Sequence, residues 1–147
     1  VGETEAEARR RGELVADYLR TLPFTPAPFR NPPGYITVDA NVQLMKAAGR
    51  PPNRSFTKDG RAINMMTGSV QDLIDAGIMF CGTPDQVYDQ ITGFAESCGG
   101  MGNLLSMTHA GFMGHDDTVA NLSLFAKEVL PRLKEYRQPN EAAAAAE

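Results

Sequence analysis

The sequence predicts an α/β fold, and three observations in its second half carry that prediction. Ile78-Met79-Phe80-Cys81 is a short apolar run of the kind a strand buried on both faces requires. Gly82-Thr83-Pro84 stops the run and starts a helix, with Thr83 suited to the N-cap and Pro84 to the first helical position, where a missing N–H costs nothing. Gly99-Gly100 then ends the helix, and Asn103 to Thr108 reads as a second strand. Two strands joined through a helix form a βαβ unit, which implies short parallel strands and a right-handed crossover.

The helix of that unit carries Val87, Ile91, Phe94, Ala95 and Cys98 at helical spacing, and Asp85 sits near the positive end of its dipole. Before it, Thr4 to Leu22 is a helix with a capping-box start, Thr4-x-x-Glu7, and an apolar stripe of Ala8, Leu14, Val15, Tyr18, Leu19 and Leu22. Arg9, Arg10 and Arg11 read as its solvated face. The proline-rich stretch Phe24 to Tyr35 is a loop, either a packed connector or a pocket wall. Asp39 to Ala48 is a helix burying Val42, Met45 and Leu44 and ended by Gly49, and Arg50 to Gly60 is polar loop. Ser69 caps a short helix to Ala76 with Val70, Leu73 and Ile74 inward. Thr118 to Tyr136 is the last helix, with Leu122, Phe125, Ala126, Val129, Leu130 and Leu133 as its buried stripe. Pro131 lies inside it, so a kink or break is expected near Lys127 to Leu130. Residues 137–147, with five consecutive alanines, lack a core face and should fray. No internal repeat or domain boundary is visible, so residues 1–136 form one unit.

Composition narrows the function classes. The chain has 147 residues, 42% hydrophobic and 22% charged, enough for a real core. No apolar run approaches a membrane span, and the expected compartment is cytoplasmic. A net charge of −4 argues against nucleic acid as a partner, because phosphate binding needs a basic face. Cys81 and Cys98 are too few for a disulfide framework and read as small buried hydrophobes. A start at Val1 rather than Met implies a processed product or a piece of a longer protein.

The motif search is largely negative. Gly99-Gly100-Met101-Gly102 lacks the Lys-Ser/Thr of a P-loop and precedes a strand. His109, His115, Asp116 and Asp117 fit no standard metal spacing. Neither cysteine has an evident activating partner, and no serine sits in a nucleophile elbow. Position is the remaining guide, because ligands of parallel α/β folds sit at the carboxyl ends of strands. That edge holds Cys81-Gly82-Thr83 and Thr108 to Phe112. Asp85 competes with any anion at the helix amino terminus. On the second strand Leu105 and Met107 should face the helix, leaving Leu104, Ser106 and Thr108 on the other side. His109 ends the strand, and it reads either as a solvated or capping residue or as one turned toward a site.

The run GIMFCGTPDQVYDQITGFAESCGGMGNLLSM, followed by LSLFAKEVLPRLKEY, resembles the carboxyl-terminal end of the bacterial luciferase-like, flavin-dependent monooxygenases. The shared pattern is a strand, Gly82-Thr83-Pro84-Asp85-x-Val87, a helix, a glycine turn, a strand, and a helix carrying Leu124, Phe125, Glu128, Val129 and Pro131. VGETEAEARRRGELVADYL is similar to a helix entered late in that barrel, and Gly-Gly-Met-Gly with the later Thr-His is closest to the limonene-monooxygenase-like branch. The resemblance covers about two thirds of the chain, and Pro23 to Met66 has no counterpart in it. It implies the last βα units of a TIM-type (β/α)8 barrel, which as a whole needs about 250 residues. It also implies reduced FMN, or in some relatives a deazaflavin, with oxygen, a small apolar substrate, a flavin reductase as supplier and an oligomeric parent. The catalytic residues and most flavin contacts would then lie upstream of Val1, and the isolated chain would be inactive. Ser106, Thr108, His109, Phe112, Met113, Gly82 and Thr83 would stand near cofactor or substrate. The competing expectation is a non-catalytic binding module that kept a barrel-derived βαβ unit.

Overall fold

The computed structural model describes residues 1–21, 37–47 and 54–137. In chain order the elements are α1 (Glu5–Thr21), α2 (Val38–Ala47), β1 (Arg54–Phe56), β2 (Ala62–Asn64), α3 (Val70–Asp75), α4 (Pro84–Ser97), α5 (His115–Leu124), a π turn (Phe125–Val129) and α6 (Leu130–Glu135). The described chain is therefore mixed α and β, mostly helical, with a small two-stranded sheet. None of its helices is long and apolar enough to cross a membrane. The predicted loops at Phe24 to Tyr35 and around Gly49, and the tail from Gln138, lie outside the described residues.

Two apolar clusters hold the elements. The first joins Ala8 and Ala16 of α1, Ile63 of β2, Val70 and Leu73 of α3, and Met79 and Cys81 of the following segment. Gly12 permits this approach: a Cβ there would lie 2.9 Å from Cys81 Sγ and 3.2 Å from Val70. Ser69 and Asp72 form a reciprocal capping box at the start of α3, as its sequence requires. The second cluster joins Val87 and Ile91 of α4 to Val129, which is fully buried, with Phe80, Tyr88, Phe125 and Leu133 packed around them. Thr83 is the N-cap of α4 and Pro84 its first residue, and Gly99 (φ 73°) and Gly100 (φ 108°) close its far end in left-handed geometry. Arg132 of α6 stacks over the Tyr88 ring at 4.0 Å and donates to Asp85, fastening α6 to α4.

Several expectations are corrected. Ile78 to Cys81 and Asn103 to Thr108 are not hydrogen-bonded as strands, and no parallel pair forms among the described residues. A strand exists only through its neighbour, and each of these segments has none. The sheet is instead the antiparallel hairpin β1–β2, with Ser55 opposite Ile63, in a stretch read partly as loop. Its turn contains Asp59-Gly60, with Gly60 at φ 83°, a recognised hairpin signal between apolar residues. Arg11 is buried rather than solvated, and Cys98 is exposed rather than packed. Val42 is exposed, while the Leu44 and Met45 side chains lie outside the described residues. Leu105 and Met107 do not face α4: Leu105 is 99% exposed. The last helix begins at His115, and Leu122, Ala126 and Leu130 are on its open side. The irregularity expected before Pro131 is present as the π turn.

Candidate functional site

A cleft of about 220 Å³ opens between α1, α4, α5 and the two irregular segments 78–81 and 104–108. Val15, Ile78, Val87, Ile91, Leu104 and Phe125 make its walls largely apolar, and Met113 closes one end. The polar lining consists of Arg11, Ser106, Thr108 and Asn121, together with the amino end of the chain at Val1.

Each polar group has a definite state. Arg11 reaches in from α1, donating from Nη1 to the Val1 carbonyl at 2.8 Å and from Nε to Asp117 at 3.2 Å. Asp117 also receives both arms of Arg10, which lies outside on the surface. These two guanidiniums, Arg10 first, hold the Asp117 carboxyl down at about 2. Asn121 donates from Nδ2 to the Thr108 carbonyl at 2.9 Å and accepts at Oδ1 from the Val1 backbone nitrogen at 2.5 Å. The Ser106 and Thr108 hydroxyls make no hydrogen bond within the described residues, so they are the free polar groups of the cleft. Cys81 is not reactive in form: its thiol donates to the Ala8 carbonyl at 3.1 Å, and burial pushes its pKa up.

Of the residues singled out in the sequence, the cleft brings together Ser106, Thr108 and Met113. It does not include His109, Phe112, Gly82 or Thr83. His109 Nδ1 lies 3.0 Å from Thr118 Oγ1. Since the Thr118 hydroxyl donates to the Gly114 carbonyl at 2.9 Å, the histidine must carry its proton on Nδ1 and donate it. His109 is thereby tied to the first turns of α5 through the Thr118 side chain. Phe112 packs edge-on against Tyr18, with ring centres 6.3 Å apart. Gly82 accepts from the Gly2 amide at 3.1 Å, and the Thr83 amide donates to Gln86 Oε1 at 2.9 Å. Among the described residues no three His, Cys, Asp or Glu side chains gather as metal ligands.

Three contributors were missed by sequence reading. Arg11 sat inside a basic triplet and gave no signal of burial. Asn121 is a polar residue in line with Phe125, Val129 and Leu133, one position before the expected stripe at Leu122. Gln90 of α4 is the third: Cys81 N–H donates to its Oε1 at 2.8 Å, and its Nε2 donates to the Cys81 carbonyl at 3.0 Å. One side-chain amide thus occupies the place a neighbouring strand would take.

No family model, no curated protein and no solved structure matches the chain. The arrangement must be read on its own chemistry. An apolar cleft with two unengaged hydroxyls suits a small, mostly apolar molecule bearing one hydrogen-bonding group. A complete pocket for a drug-sized ligand runs roughly 300–1,000 Å³, so this cleft is undersized for a whole flavin mononucleotide. Its one guanidinium is already committed to Asp117 and the Val1 carbonyl, leaving no side-chain cation of the cleft for a phosphate. The described residues thus do not fit the flavin by themselves.

Proposed function

We propose that the chain is the carboxyl-terminal part of a luciferase-like, flavin-dependent monooxygenase, and that it contributes the substrate-side wall of the site. The observation that carries this reading is the cleft itself. The two segments that resemble the last barrel strands, 78–81 and 104–108, line the same apolar space, and Ser106 and Thr108 are among its lining residues. Both segments are irregular chain without strand partners among the described residues, a state open to barrel strands separated from the rest of the barrel. The partial (β/α)8 barrel is therefore part of the proposal. Reduced FMN, or a deazaflavin, would be held by residues outside this chain, and it would supply the activation of oxygen. The residues here would bind and orient a small apolar substrate, exclude water, and offer a hydrogen bond from Ser106 or Thr108 to its polar group.

The test uses the full-length parent, supplied with reduced FMN by a flavin reductase and offered small apolar substrates under oxygen. A product carrying one added oxygen atom supports the reading. A reading frame that opens directly before Val1, or a parent that consumes no oxygen with reduced flavin, overturns it in favour of a non-catalytic module.

A further inference from the structure

We propose that Pro131 is a positioning residue for the cleft, acting through the π turn that precedes it. The cleft wall and the second core are built from one continuous helical stretch: Asn121 and Phe125 line the cleft, and Phe125, Val129 and Leu133 pack in the core beside α4. These four residues are spaced by four. In a regular α-helix, at about 100° per residue, Asn121 and Leu133 would point about 120° apart. Asn121 at one end and Leu133 at the other would then leave the one side on which the cleft and the core are met, a side shared because Val87 and Ile91 of α4 belong to both. The π turn from Phe125 to Val129, in which the Leu130 N–H reaches back to the Phe125 carbonyl, is wider, with roughly 4.4 residues per turn. It reduces the divergence to about 30°, so all four residues share one side.

Pro131 supplies the reason for the turn to sit there. It has no N–H for the Lys127 carbonyl, and its ring would clash with that carbonyl in a regular helix. Widening the preceding turn moves the carbonyl aside and makes Pro131 a first-turn residue of α6, a position where proline fits. The register it sets is what lets Asn121 tether the Thr108 carbonyl, and thereby the 104–108 wall, while Val129 stays fully buried. The proposal holds whatever the cleft binds.

The test is a register rescue. With Pro131→Ala the stretch should relax to a regular α-helix anchored by Val129 and Leu133. By nuclear magnetic resonance, the Phe125 ring should lose its contacts to the Val87 and Ile91 methyls. Exchange of the Asn121 side-chain amide protons should rise about tenfold, as one hydrogen bond is lost. Deleting the exposed Ala126 in the same variant removes the one extra residue of the wide turn, returning Asn121 and Leu133 to within about 20° in a regular helix. That double variant should recover both signals. Val129→Ala, which removes core volume but keeps Pro131, should retain them. If Pro131→Ala keeps both signals, packing and not the proline sets the turn. If the deletion fails to restore them, or leaves the chain unfolded, register is not what the proline controls. Either result overturns the proposal.

Discussion

Leu73 and Leu105 allow the same chemical change to be made at the two extremes of burial. Leu73 is 1% exposed, at the centre of the cluster between α1, α3 and β2, whereas Leu105 is 99% exposed on the unpaired 103–109 segment. Leu73→Ala removes three carbons from a packed site, about 2.4 kcal/mol at ~0.8 kcal/mol per methylene. Incomplete collapse of the cavity adds about 1 kcal/mol more, giving roughly 3–4 kcal/mol in all, within the range of comparable core truncations. For a chain of this size that corresponds to a fall of about 10 °C in Tm. Leu105→Ala should change stability by no more than about 0.5 kcal/mol. The assay is urea unfolding of both variants beside the parent chain, compared at a common slope. A loss above about 1 kcal/mol for Leu105→Ala would refute the exposed, unpaired placement of that segment. A loss below that for Leu73→Ala would refute the first cluster as the core.

Further outcomes follow from other contacts. Gln90→Leu should destabilise by about 1–3 kcal/mol in the same unfolding assay, since it strands the Cys81 N–H and carbonyl in a half-buried place. Asp72 and Asp117 titrate at about 2 instead of 3.8, so the folded chain binds fewer protons than the unfolded one between those values. Their contribution is present above pH ~4 and lost as pH falls toward 2, and Asp72→Asn with Asp117→Asn should flatten that loss in acid titrations followed by circular dichroism. The isolated chain should not bind FMN stoichiometrically in fluorescence quenching, and tight binding would mean that the phosphate partner lies among residues judged committed. In the full-length parent, Ser106→Ala and Met113→Ala should raise KM for apolar substrates several-fold, while His109→Ala and His115→Ala should leave it within twofold.

What was legible in the sequence was local. The capping box at Ser69, the Thr83-Pro84 start and Gly99-Gly100 stop of α4, and the disturbance before Pro131 each depend on a few adjacent residues, and each is found. The strands at 78–81 and 103–108 failed for the converse reason: apolar content marks a segment that could pair, but pairing is decided by a neighbour. The hairpin was legible in principle through Asp59-Gly60 and was passed over because its strands are only three residues long. At the site, Ser106, Thr108 and Met113 line the cleft although the strand whose end was to place them does not form among the described residues. Arg11 and Asn121 were not legible, since their burial comes from partners more than a hundred residues away in the chain. His109 lies within hydrogen-bond distance of the Thr118 hydroxyl and outside the cleft lining, a partner nine residues on that its place in the chain does not announce.

The ion-pair group around Asp117 also has a kinetic meaning. Arg10 and Arg11 are separated from Asp117 by 107 and 106 positions, and Val1 from Asn121 by 120, so these contacts close the longest loops among the described bonds. Closing a long loop costs entropy before the contact returns anything, whereas α4, the π turn and α6 meet over a much shorter length of chain. The helical pair around Val129 should therefore assemble early, with α1 arriving late to seal the cleft. In rate measurements, Arg11→Met should then speed unfolding while leaving the folding rate nearly unchanged. The cleft would be the last part of the molecule to form and the first to open.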